Sequence, residues 1–152
     1  MAAEAQPVGL TGGCQCGAVR YRLDAAPTGA NLCHCRMCQK AGGGPFMAFA
    51  GVRLAEFAWT RGAPKNFASS TIAERGFCAD CGTPLTYRAI GHDRISVTSG
   101  SLDEPAAAPP IVQFGVVTKA AWLDNVADLP VGEFTWGDAG QSGNRQHPDH
   151  DT

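Results

Sequence analysis

The residues best suited to chemistry in this chain are its seven cysteines, which fall into three groups of two, three and two. They stand in Gly13-Cys14-Gln15-Cys16-Gly17, in Cys33-His34-Cys35-Arg36-Met37-Cys38 and in Cys78-Ala79-Asp80-Cys81-Gly82. A Cys-x-x-Cys-Gly turn brings both sulfurs to one metal ion, and its glycine allows a tight backbone that aims amide hydrogens at the thiolates. Such a knuckle is half of a tetrahedral zinc site. Cys14 and Cys16, also flanked by glycines, offer the other half to Cys78 and Cys81. Cys33, Cys35 and Cys38 then remain as a facial set of three with no fourth cysteine. Four protein ligands make a closed, structural zinc site, whereas three leave a position open, as in catalytic sites.

Other partitions fit the same residues. Three of the sulfurs around the middle and last groups could be the ligands, leaving Cys14 and Cys16 free. His34 or His92 could complete the second site and make it structural as well, although in a strand-like Cys-His-Cys run His34 points away from its neighbours. His147 and His150, near the end of the chain, read as ordinary surface residues. A two-zinc scaffold without chemistry is the bland alternative. A redox dithiol would need a βαβ setting around the motif, and none is legible.

Composition limits what these thiols can serve. A length of 152 residues suits one domain with a real core. With 44% apolar and 17% charged residues the chain is expected to fold, and its formal charge of −2 gives no basis for binding nucleic acid or an anionic membrane. No apolar run reaches the roughly 20 residues of a membrane-spanning helix, and "MAAEAQPVGL" lacks a basic leader with an apolar core. The expected compartment is the cytoplasm, where thiols stay reduced and clustered cysteines bind metal or catalyse.

The elements that must position the thiols are short. Nineteen glycines and ten prolines argue for many turns and against a helical bundle. Val19, Tyr21 and Leu23 alternate with Arg20 and Arg22, Leu85, Tyr87 and Ala89 alternate with Thr86 and Arg88, and Ile95 and Val97 repeat the pattern, all as half-buried strands. "PFMAFAGV" (45–52) and "PIVQFGVV" (110–117) are apolar on both faces and read as central strands. "FAWTRG" and "NFASS" suggest a hairpin turned at Gly62 and Pro64. One short helix is expected around Arg36–Ala41 and another turn within "TKAAWLDN". Trp59, Trp122 and Trp136 are expected in the core or at its margin. The chain thus divides into a flexible start (1–7), one zinc domain (8–136) and a polar, glycine-rich disordered tail (137–152). The fold class is all-β: several small coiled antiparallel sheets stapled by zinc, with one or two short helical turns.

"GGCQCGAVRY", "CHCRMCQKA", "PFMAFAGV", "GFCADCGTPL" and "VTSGSLD", in this order and spacing, resemble the glutathione-dependent formaldehyde-activating (Gfa-like) family, which also includes centromere protein V. The likeness runs from about Gly12 to Trp122. It implies an all-β fold with two zinc ions per chain, a structural one on Cys14, Cys16, Cys78 and Cys81 and an open one on Cys33, Cys35 and Cys38. It also implies carbon–sulfur lyase chemistry, the reversible addition of glutathione to formaldehyde. Two positions depart from the family pattern. Gln113 stands where a histidine is common, and the loop Gly42–Gly44 lacks a usual hydroxyl residue.

On this reading a thiol, glutathione or another, is held at the open three-cysteine zinc and adds to a small aldehyde. Arg36, Lys40, Arg53 and Arg75 are the candidates for offsetting the accumulated negative charge. The competing readings are a zinc-stabilised binding or interaction module without catalysis, and a zinc hydrolase whose base would be Glu56, Glu74 or Asp80.

Overall fold

Glycine and proline cut the chain into ten short strands and a single α-helix in the computed structural model, which describes residues 9–133 and 145–151. The proposed flexible start (1–7), Trp136 and residues 137–144 and 152 of the proposed tail lie outside the described residues. The strands are β1 (Thr11–Gly13), β2 (Arg20–Leu23), β3 (Thr28–Cys33), β4 (Met47–Arg53), β5 (Phe57–Arg61), β6 (Lys65–Ala68), β7 (Ala73–Phe77), β8 (Pro84–Ala89), β9 (Arg94–Thr98) and β10 (Val112–Phe114). The helix, α1, spans Arg36–Gly42 between β3 and β4, and 3-10 turns cover Val116–Thr118 and Ala121–Asp128. The fold is mostly sheet, as expected.

The strands form two sheets. The smaller has the order β1-β2-β5 and the larger β10-β3-β4-β9-β8-β7-β6. All pairings are antiparallel except β10 on β3, which is parallel. Tyr21 and Leu23 of the small sheet share one apolar cluster with Ala50, Val52, Leu85 and Val97 of the large one. A second, smaller cluster holds Cys38, Met47 and Phe49, with Cys33, Cys35 and Tyr87 packed against it.

β4 is the buried central strand that its two apolar faces predict, lying between β3 and β9. β10 is not. It is the outermost strand of the large sheet, and Val112, Gln113 and Phe114 are all exposed. An apolar run reports a preference for burial, but place in the sheet decides it, and nothing lies beyond β10 among the described residues. Trp122 is likewise exposed rather than packed in the core, whereas Trp59 is half-buried and meets Tyr21 and Phe57 edge-on.

The expected hairpin between "FAWTRG" and "NFASS" does not form. β5 pairs with β2 and β6 pairs with β7, so the Gly62–Pro64 turn carries the chain from one sheet to the other. Arg20, on the polar side of β2, is nevertheless buried. Its guanidinium is held by Asp103, with Nη1 donating to Oδ1 at 2.9 Å, and Thr11 donates to the same carboxylate at 2.6 Å. A buried charge needs such a partner.

Candidate metal centres

The first centre is made by two turns, one at the start of the folded region after β1 and one near its middle, between β7 and β8. The Sγ atoms of Cys14, Cys16, Cys78 and Cys81 all lie within 4.8 Å of one another. Cys14 and Cys16 are 3.6 Å apart and Cys16 and Cys78 are 3.9 Å apart. Tetrahedral zinc with Zn–S bonds of about 2.3 Å places sulfurs about 3.8 Å apart, so the donor set fits zinc. The backbone is folded to suit. Gly82 takes a φ of +77°, and its N–H closes the Cys78–Gly82 turn on the Cys78 carbonyl at 2.9 Å.

Donors point at these sulfurs from around the turns. The Val19 N–H donates to Cys14 Sγ at 3.2 Å, and Thr83 Oγ1 lies 3.1 Å from Cys81 Sγ while accepting the Gln15 N–H at 3.0 Å. Burial resists ionisation of Cys81, but the Thr83 hydroxyl and backbone N–H groups outweigh it and bring the thiol down to about 6. Thr83 is a supporting residue that cysteine spacing alone does not reveal. Residues 145–151 lie against the same end, where the His147 N–H donates to the Gln15 carbonyl at 2.7 Å.

The second centre is local. Cys33 ends β3, Cys35 caps the N-terminus of α1 by accepting the Cys38 N–H at 3.4 Å, and Cys38 lies in the first turn of that helix. Their sulfurs also fall within 4.8 Å of one another, and among the described residues no histidine, carboxylate or fourth cysteine joins them. Three thiolates converging without a fourth protein donor suit zinc with one position left open. Gly43 takes a φ of +68° as the helix cap, its N–H bonding the Gln39 carbonyl at 2.9 Å, and a side chain on Gly42 would press on Met47.

His34 points away from the sulfurs, as strand alternation predicts. It is buried beside Phe46, with its Nε2 2.9 Å from Gln113 Oε1. Gln113 thus supports the back of the cysteine triplet. His92 is exposed in a turn.

Of the four cations considered, Arg75 alone reaches the triplet. Its Nη2 donates to Cys38 Sγ at 3.3 Å, Nη1 to Met47 Sδ at 3.5 Å and Nε to Ser69 Oγ at 3.0 Å, and its guanidinium lies 5.0 Å from the centre of the Tyr87 ring. Arg36 instead bonds Gln39, Arg53 faces Asp93, and Lys40 is exposed. Burial pushes the Cys38 thiol up to about 12, with Arg75 pulling against it. Burial opposes ionisation of Cys35 too, but the Cys38 N–H and neighbouring thiols outweigh it and lower its value.

A cavity of about 270 Å³ opens beside the triplet and is lined by all three cysteines. Strand register assembles the rest of its wall. Asn31 pairs with Phe49 across β3 and β4, while Ser96, Tyr87 and Arg75 form a row across β9, β8 and β7. Direct partners in antiparallel strands share a face, so residues far apart in sequence meet here. Glu56, Glu74 and Asp80 do not line the cavity. Glu56 accepts the Arg53 N–H at 3.0 Å, Glu74 faces Arg88 and Asp80 is exposed.

Residues 9–117 match the model of the glutathione-dependent formaldehyde-activating enzyme family. The chain belongs to that family. It is also 34% identical over 76 residues to a protein of Schizosaccharomyces pombe named an uncharacterized lyase, a match covering 50% of this chain and 55% of that relative's length. A crystal structure of a Rhodobacter sphaeroides protein superposes with a TM-score of 0.56 at 22% identity, over 68% of this chain and 98% of the other, which supports the fold. The family match takes in β1 to β10 and every cysteine of both centres. No helix among the described residues is long and apolar enough to cross a membrane.

Proposed function

We propose that this member of the family forms and cleaves the carbon–sulfur bond between a small thiol and formaldehyde, or another small aldehyde, at the three-cysteine centre. Cys14, Cys16, Cys78 and Cys81 hold a structural zinc on this reading, and Cys33, Cys35 and Cys38 hold a second. The observation that carries it is a cavity lined by three converging thiols with no fourth protein donor among the described residues. When bound there, zinc supplies the positive charge that keeps a substrate thiol deprotonated at neutral pH, with its open position left for that thiol. In the forward direction the thiol sulfur bonds to the carbonyl carbon, the carbonyl π pair moves onto oxygen, and the thiol proton ends on that oxygen as a hydroxyl. Cleavage is the reverse.

The chain's own residues set the stage for that transfer. Arg75 places a fixed positive charge against Cys38 and offsets the negative charge that gathering thiolates bring. Phe49 and Tyr87 wall the cavity with apolar surface, which limits water around the adduct. Among the described residues no histidine or carboxylate lines the cavity as a general base for water, so the lyase reading is preferred to a hydrolase. A cytoplasmic setting, where thiols stay reduced, suits metal binding by clustered cysteines.

Thiols and formaldehyde combine unaided, so net product formation is a weak test. Exchange at equilibrium is stronger. With carbon-13 formaldehyde and a thiol already equilibrated, the zinc-loaded chain is expected to raise the exchange rate seen by NMR at least about tenfold, or about 1.4 kcal/mol. Arg75→Gln should lose most of that gain while keeping its zinc. Exchange no faster than in buffer, at full zinc loading, would overturn the proposal.

A further inference from the structure

His34 stands between Cys33 and Cys35, and both of its backbone polar groups are held. Its N–H donates to the Phe114 carbonyl at 2.9 Å. Its carbonyl accepts from Gln39 Nε2 at 2.7 Å and from the Thr118 hydroxyl at 2.9 Å, which fills both lone pairs. Gln39 is committed in turn. The second hydrogen of its amide goes to the Thr118 carbonyl at 2.9 Å, and Arg36 donates to its oxygen. Thr118 and Phe114 come from β10 and the turn after it, with Thr118 84 residues beyond His34. Gly115 lets that turn approach: it takes a φ of +66°, and a Cβ there would lie 2.8 Å from the Cys35 nitrogen.

These bonds converge on the one peptide that joins two of the three converging thiols. A peptide unit is planar, so a carbonyl held at both lone pairs also fixes the N–H and Cα that follow, here those of Cys35. Cys35 is the N-cap of α1, where the extended strand turns into the helix that carries Cys38. The orientation of this peptide therefore decides how the sulfurs of Cys33 and Cys35 face each other and how Cys38 meets them. Phe114 also lines the cavity, so one segment supplies both a wall of the site and the grip on its donors.

We infer that Gln39 and Thr118 are positioning residues for the three-cysteine centre: by holding the His34 carbonyl they aim the sulfurs of Cys33 and Cys35 at one metal ion. The inference rests on the proposed second zinc at that centre and adds the residues that set its geometry.

Gln39→Ala removes the amide, and Thr118→Val removes one hydroxyl at nearly constant shape. Each is expected to weaken zinc at the triplet at least about tenfold in chelator competition without oxygen, as removal of a group behind a metal ligand does. Zinc at the four-cysteine centre should be held as before. Thr118→Ser, which keeps the hydroxyl, should restore the native affinity. With cobalt in place of zinc, the visible ligand-field bands from the triplet should shift in Gln39→Ala and Thr118→Val and return in Thr118→Ser. A brace that served stability alone would lower the melting temperature without moving those bands. Unchanged bands and affinity in Thr118→Val and Gln39→Ala would overturn the inference and leave the proposed function standing. Thr118 is exposed, so Thr118→Val decides the matter should Gln39→Ala fail to fold. An unaltered chain that takes up only one zinc would overturn the proposed function together with the inference.

Discussion

The two cysteine centres use the same donor atom and differ in nearly everything around it. Cys14 and Cys78 are 3% and 1% exposed and belong to the main apolar cluster that joins the two sheets. Cys16 and Cys78 stand 62 residues apart in sequence, so that centre ties the first strand to the turn before β8 near the middle of the domain. The triplet spans six residues, belongs to the smaller cluster and opens on a cavity. Backbone N–H groups reach both sets of sulfurs, but the Thr83 hydroxyl serves the first and a guanidinium the second. The difference teaches that role is decided by what closes the coordination sphere and by how much of the fold depends on it.

The sharpest way to break that comparison is to remove one sulfur from each centre. Structural zinc contributes on the order of 10 kcal/mol in small zinc domains, as much as the whole stability of a typical domain. Cys78→Ser is therefore expected to leave the chain without a cooperative unfolding transition. Cys38→Ser should keep near-native circular dichroism while zinc falls from about two to about one per chain, measured by mass spectrometry. Two variants that both unfold, or that both stay folded with one zinc, would erase the distinction.

A smaller effect is expected where β2 meets the chain after β9. Asp103 accepts from Arg20 and Thr11, and removing its charge leaves the buried guanidinium with only the His150 carbonyl at 3.2 Å and the more distant Asp151 at 3.8 Å. Asp103→Asn should cost about 3 kcal/mol in denaturant unfolding. Burial of Asp103 opposes its ionisation, but Arg20 and Thr11 outweigh it and lower its value below the ordinary one. A lowered carboxylate contributes stability that is fully present above its unfolded value, about 3.9, and is lost as pH falls through the folded value. The variant's deficit should thus be equal at pH 8 and pH 5 and shrink below about pH 4. A deficit constant down to pH 3 would assign the loss to packing instead. Thiol binding at the triplet should be unchanged, since Asp103 does not line that cavity.

Ligand chemistry made part of this molecule readable before any fold was known. Zinc geometry demands particular spacings, so Cys78-x-x-Cys81-Gly82 announces a knuckle without help from tertiary structure. Strand alternation made β2, β8 and β9 legible and turned His34 away from its neighbours. What escaped depends on register between strands far apart in sequence. Nothing local separates Arg75 from Arg36, Lys40 and Arg53, because only pairing through β7, β8 and β9 sets it beside Tyr87 and Ser96. The same holds for Gln113, which meets His34 only because β10 returns to the edge of β3. The "FAWTRG" and "NFASS" segments misled for a related reason, since a turn signal does not say whether the flanking strands pair with each other.

The smallest expected effect sharpens the comparison from the backbone side. Gly43 caps the helix of the triplet and Gly82 closes the knuckle of the four-cysteine centre, with φ of +68° and +77°. A Cβ on either would meet nothing within 4 Å, so alanine is opposed only by the left-handed conformation. That conformation costs an L-residue about 1 kcal/mol at each position. Gly43→Ala and Gly82→Ala should therefore lower the melting temperature by similar amounts, about 2–4 °C, with both zinc ions retained. A loss at Gly82 several times that at Gly43 would mean that backbone relaxation in the knuckle moves its sulfurs. The excess would then measure how tightly the rest of the fold depends on the four-cysteine geometry, and equality would show that both turns tolerate strain while the sulfurs stay in place.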